Sequence, residues 1–156
     1  MRDEGDVTPI GITLWETTRR MTRAFDAVLA EHGGNRPVWF VFLALAEGGH
    51  QTQRELAREI GIKESTLTHH LNALERRGLV ARRRDPDDRR VQLIEFTPEG
   101  RRVFEGMRTA AIAHDRRIQS ALGPDGVRAL RKQLVALADA VGERGEADGL
   151  PPLDPI

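Results

Sequence analysis

The sequence predicts a mainly α-helical chain carrying one small β-hairpin, and three observations predict it. Apolar residues recur at spacings of three and four near both ends of the chain. Between them lie two short helical stretches separated by a glycine turn. An arginine-rich pair of strands follows, interrupted by Asp85-Pro86-Asp87-Asp88, which is strong turn chemistry. In that order these elements have the layout of a winged helix-turn-helix lobe, flanked by helical segments that would form a dimerisation region.

The first helix is expected over residues 12–31, where Leu14, Thr18, Met21, Phe25 and Val28 form a near-heptad seam. Gly33-Gly34-Asn35 stops it, and Asn35 or Pro37 opens the next helix. The run from Val38 to Ala46 is apolar all round, so this second helix should be buried on several sides. It is nine residues long, less than half of the ~20 that a bilayer crossing needs. Gly48-Gly49 ends it. Thr52 and Glu55 have the Thr-x-x-Glu spacing of a capping box and open a helix that buries Leu56, Ala57 and Ile60 before Gly61 turns the chain. The following helix, residues 63–77, buries Leu67, Leu71 and Leu74 and ends at Gly78. Leu79–Arg84 and Val91–Phe96 read as strands. Thr97-Pro98 caps a further helix with proline at its first position, where no amide hydrogen is needed. Its stripe runs Phe104, Met107, Ala111, His114, Ile118, Leu122 until Gly123-Pro124 breaks it. Val127, Leu130, Leu134, Leu137 and Val141 then form a last seam.

The expected organisation is an N-terminal dimerisation helix within residues 1–34, a DNA-reading lobe over 35–97, C-terminal dimerisation helices over 98–142, and a loose acidic tail over 143–156. The seams of the terminal helices find no partner within the lobe, and a second copy of the chain is the economical way to bury them.

With 31% charged and 39% hydrophobic residues, the chain reads as globular rather than disordered or membrane-spanning. No signal-peptide pattern is present near the N-terminus, so a cytoplasmic location is expected. The absence of cysteine excludes disulfides, thiolate metal sites and thiol redox sensing. Net charge is zero, yet residues 76–90 hold seven arginines against three aspartates, while residues 1–18 and 143–156 are each acidic by three charges. Attraction to phosphate acts over about a Debye length, ~8–10 Å, so this concentrated patch matters more than the molecular sum.

Removing the buried leucines from the second motif helix leaves Ser65, Thr66, Thr68, His69, Asn72 and Arg76 as the candidate DNA-reading face. Hydroxyls and an amide both donate and accept, which suits base edges in the major groove. Ser and Thr near a helix start also serve as caps, and His69-His70 also fits a plain surface pair. On the hairpin, Arg89 and Arg90 flank the tip, and arginine is favoured in narrow minor grooves. Asp88 is out of place beside them unless it orients an arginine through a bidentate pair. Side chains alternate along a strand, so Arg82 and Arg84 should point oppositely to Arg83.

These residues resemble the MarR family of transcriptional regulators, through ELAREIGIKESTLTHHLNALERRGLVARRRDPDDRR followed by LIEFTPEGR. The resemblance runs from about residue 10 to 142. It implies that Arg90 enters the minor groove while Asp88 braces the tip, and that Ser65, Thr66, Thr68 and His69 face bases. Lys63 stands where many members have an acidic cap, and His69 where an arginine is frequent. The resemblance also implies a homodimer on a pseudo-palindromic operator, with reading heads ~34–36 Å apart. Members are usually repressors released by a small molecule, often an aromatic acid, or by an oxidant. The lack of cysteine excludes the thiol-oxidation route here. No histidine pair has the i, i+4 spacing of a helical metal site, so no metal and no cofactor are expected. Trp15, Arg19, Trp39, Phe40 and His114 are candidates for the walls and cation of an effector site for an aromatic or anionic molecule. The same aromatics at helical spacing also suit a core. No nucleophile elbow, phosphate loop or metal motif suggests an enzyme. The competing non-enzymatic reading is an adaptor whose winged helix binds protein, which would need no arginine at the tip.

Overall fold

The computed structural model describes residues 9–48 and 51–141. Gly49, His50, the acidic N-terminal stretch and the expected tail lie outside the described residues. Among the described residues, eight elements follow in order: α1 (Ile10–Ala30), α2 (Arg36–Gly48), β1 (Gln51–Thr52), α3 (Gln53–Ile60), α4 (Glu64–Arg76), β2 (Val80–Arg84), β3 (Gln92–Phe96) and α5 (Pro98–Val141). Gly123, at φ 69° and ψ 167°, divides α5 into residues 98–122 and 124–141, where the Gly-Pro pair forecast a break. The strands form an antiparallel sheet in the order β1-β3-β2. Sequence reading found the hairpin but missed β1, which is only two residues long and pairs Gln51 with Ile94 and Thr52 with Leu93.

The local signals act as their chemistry dictates. Asn35 Oδ1 accepts from the Val38 amide at 3.0 Å and starts α2. The capping box at α3 is complete: Glu55 N–H donates to Thr52 Oγ1 at 3.2 Å, and Thr52 N–H donates back to the Glu55 carboxylate at 2.8 Å. Those donors hold the Glu55 carboxyl below the usual range, the backbone amide of Thr52 contributing most. Gly61 leaves α3 at φ 77°, a left-handed conformation that a side chain would strain.

The core centres on α2. Val38, Val41, Phe42 and Leu45 are buried against Leu56, Leu67, Leu71 and Leu74 from the helix pair and against Ile94 from β3. Phe42, Phe96 and Phe104 meet at ring separations of 5.1, 5.5 and 6.1 Å, joining α2, β3 and α5. The start of α5 is stitched to the start of β2: Thr97 Oγ1 donates to the Gly78 carbonyl at 2.6 Å and accepts from Gly100 N–H at 2.9 Å.

Away from the lobe, burial falls off along both terminal helices. Leu29 is the one fully buried residue of α1, and nothing beyond Met107 is fully buried along α5. Trp15 is 60% exposed and Val141 74%, with Leu130, Leu134 and Leu137 also open. No helix among the described residues is long and apolar enough to cross a membrane.

Gly100 has no room for a side chain, because a Cβ there would sit 1.8 Å from the Leu79 carbonyl oxygen. Gly100→Ala is therefore expected to lower stability by ~1–3 kcal/mol through overpacking. Urea unfolding measures this, and an unchanged midpoint would contradict the close approach.

Candidate nucleic-acid interface and neighbouring cavity

Four α4 residues share one face by their spacing of four, three and four: Ser65, His69, Asn72 and Arg76, all exposed. The opposite face buries Leu67, Leu71 and Leu74. Lys63 precedes the helix without any side-chain cap. Of the other candidates, Thr66 is half-buried, and Thr68 is committed within the protein. Its hydroxyl donates to the Glu64 carbonyl at 2.8 Å and accepts from Gln53 Nε2 at 2.5 Å. Gln53 was absent from the sequence-based candidates. It is the brace between the two motif helices, and only the fold brings it to Thr68, fifteen residues away.

His70 also differs from expectation. It was paired with His69 as surface, but it is 2% exposed, and neither ring nitrogen has a hydrogen-bond partner. Position 70 lies beside Leu71 and Leu74 on the core side of the turn, so the leucine pattern alone understated the width of the buried face. Burial pushes the His70 imidazole below its ordinary 6.5, and the nearby His69 adds to the effect.

The hairpin tip is built from side-chain caps. Asp85 Oδ1 accepts from the amides of Asp87 at 2.7 Å and Asp88 at 3.3 Å, and the Asp85 amide donates to the Val91 carbonyl at 3.0 Å. Asp88 in turn holds Arg90: Nε donates to Oδ1 at 3.1 Å, Nη2 to Oδ2 at 3.2 Å, and the Arg90 amide to Oδ1 at 3.0 Å. This bidentate grip keeps the Asp88 carboxyl below the usual range, the Arg90 side chain contributing more than its amide. The Arg90 side chain is nevertheless 91% exposed. Arg89 is exposed too, and its carbonyl accepts from Arg84 Nη1 at 3.2 Å, which ties the strand to the tip. Arg83 approaches Glu95 at 3.9 Å. Arg82 turns the other way and reaches α4, where it bonds Asn72 and Glu75. The strand alternation is as expected.

A cavity of about 780 Å³ opens between α1, α2 and α5. Met21, Phe25, Leu43, Ile112 and Ile118 give it apolar walls, and Arg36, Arg108 and Arg116 give it cations. Of the residues singled out from sequence, Trp39 and His114 line it. Trp15 lies outside with Arg19 stacked 5.3 Å from its ring centre, and Phe40 packs against the core. The three arginines were missed because each reads in sequence as an ordinary solvated charge. Arg36 Nε donates to Asp26 Oδ1 at 2.6 Å across the α1–α2 junction. Rings run without a gap from Phe104 through Trp39 and Phe25 to His114, at separations of 5.8, 6.1 and 5.6 Å.

A helix-turn-helix with an exposed polar helix face and an arginine-tipped wing defines a winged-helix DNA-binding protein. Residues 32–91 match the sequence profile of the MarR family of transcriptional regulators. It is 39% identical over 54 residues to the HTH-type transcriptional regulator YdgJ of Bacillus subtilis, a match spanning 35% of this chain but only 33% of that protein. It is 27% identical over 129 residues to the HTH-type transcriptional regulator FarR of Neisseria gonorrhoeae, covering 83% of this chain and 88% of FarR. Among solved structures, the transcriptional repressor CouR bound to a 23-mer DNA duplex superposes with a TM-score of 0.72 at 28% identity, over 88% of this chain and 98% of that one. CouR bound to p-coumaroyl-CoA gives 0.69 at 26% identity, over 86% and 97%.

A histidine whose pKa is lower folded than unfolded destabilises the fold only where the unfolded chain binds the extra proton. Stability should therefore be full above pH ~6.5, fall as the pH drops toward the folded value, and level off below it. His70→Leu is expected to raise the urea midpoint more at pH 5.5 than at pH 8. An equal shift at both values would mean that His70 is not held neutral.

Proposed function

We propose that this chain is a homodimeric repressor that binds a pseudo-palindromic operator and is released by a small aromatic anion. The observation that carries the reading is Arg90, held out at the wing tip by Asp88 beside the exposed face of α4. A bidentate carboxylate costs the arginine little exposure while fixing its direction, which suits insertion into a narrow minor groove. On this reading residues 35–97 form the reading lobe, and residues 1–34 and 98–142 the dimerisation region. The exposed seam residues Met21, Leu130, Leu134 and Val141, with Trp15 open beside them, support a second copy as the missing partner. The cavity supports the effector: aromatic walls bind a ring, and a cationic rim takes a carboxylate or phosphate. It lies between dimerisation helices and the lobe, so a ligand there would alter the spacing of the two heads. That CouR has been seen with both a duplex and an aromatic thioester is in keeping with both parts of the reading.

Binding to duplex DNA is expected to weaken steeply with salt, because each phosphate contact releases counterions. Arg90→Glu should cost roughly 100-fold in affinity at fixed salt, about 2.7 kcal/mol, while leaving the sedimentation of the dimer unchanged. Fluorescence anisotropy with labelled duplex measures both. DNA affinity unaffected by this charge reversal would contradict the role of the wing.

With Trp15→Phe, Trp39 is the sole indole and reports on the cavity. An aromatic carboxylate such as a hydroxycinnamate is expected to quench it, with roughly tenfold weaker binding after Arg116→Ala. Quenching that is indifferent to Arg108, Arg116 and Arg36 substitutions would contradict the anion site.

A further inference from the structure

Arg82 sits on β2 opposite Ile94 of β3, and its side chain leaves the wing to cross α4. Nη2 donates to Asn72 Oδ1 at 2.9 Å, and Nη1 bonds the Glu75 carboxylate. A guanidinium has five N–H donors and no acceptor, so the atom that Asn72 turns toward it must be the oxygen. Glu75, one turn further along, anchors the same guanidinium and has its charge offset by it. The Asn72 amide is thereby directed away from Arg82, toward the exposed face that it shares with Ser65, His69 and Arg76.

We propose that Arg82 is a positioning residue that fixes Asn72 as a hydrogen-bond donor to guanine. The proposal rests on α4 entering the major groove. An asparagine free to pivot pairs with adenine, giving a hydrogen to N7 and taking one from N6. With Oδ1 turned toward Arg82 and away from the groove, that two-way pairing is disfavoured and a base offering two acceptors fits better. Guanine presents N7 and O6 on that edge, both acceptors. Specificity at one base pair is thus set by a wing residue that touches no base. Glu75 matters for the same reason, since it stops Arg82 from swinging back to the phosphates.

Selection of bound sequences from a randomised duplex library, with the full-length dimer and its variants, tests this. The wild-type motif is expected to contain a G·C pair in each half-site that loses its preference, about tenfold, in Asn72→Ala while other positions keep theirs. Asn72→Asp keeps the partner of Arg82 but cannot donate, so preference there should turn from guanine to cytosine, whose N4 amino group donates. Arg82→Leu should admit A·T at the same position, because the amide can then rotate, and Arg82→Lys should restore guanine because an ammonium still donates. An A·T pair at the Asn72-dependent position of the wild type would overturn the proposal. So would an equal loss on all sequences in Asn72→Ala, or a guanine preference untouched by Arg82→Leu in a variant that melts normally. A wild-type protein that selects no sequence at low salt would instead bring down the DNA-reading function itself, before any variant is compared.

Discussion

The meeting of Phe42, Phe96 and Phe104 is the contact on which the geometry of the reading surface depends. Each ring comes from a different part of the chain: the central helix, the wing strand and the start of the long helix. The three pairs are tilted, edge-on and stacked, and aromatic pairs of this kind bury large areas. They therefore fix the root of the wing relative to α2, and α2 in turn carries the leucines of α4. Gly100 lets this joint close, because only a bare Cα fits against the Leu79 carbonyl. Helix face and wing root are thereby held on one framework.

On that surface, charge is arranged more than accumulated. The chain is neutral overall, yet Arg76, Arg83, Arg89 and Arg90 are exposed along the helix end and wing. The acidic residues among them are used locally. Asp85 closes the turn, Asp88 aims Arg90, and Glu75 anchors Arg82. Asp88 and Glu75, which would repel phosphate if free, are instead paired to Arg90 and Arg82. In the same way Gln53 and Thr68 lock the angle between α3 and α4.

Much of this was legible in the sequence, and the reason is that the legible features are local. Thr52 with Glu55, Asp85 with its following amides, and Gly123 with Pro124 act within a turn or two, where residue type dictates geometry. The heptad-like seams at both ends predicted helices with an unfilled apolar face, and the exposed Leu130, Leu134 and Val141 are that face. What was not legible depends on elements meeting in space. No spacing reveals that Arg82 reaches Asn72, that Gln53 meets Thr68, or that Arg36, Arg108 and Arg116 converge on one cavity with Trp39 and His114. His70 was misplaced for a different reason. A polar side chain on the margin of a leucine stripe can face either way, and only the third dimension decided that it lies inward.

The proposed recognition needs helix face and wing tip to engage adjacent grooves together, and chemical footprinting of a selected duplex tests that most directly. Expected is protection of guanine N7 in the major groove, abutted by protection of the minor-groove backbone, repeated ~10 base pairs away by the second head. Protection confined to one groove, or a single unrepeated patch, would contradict it.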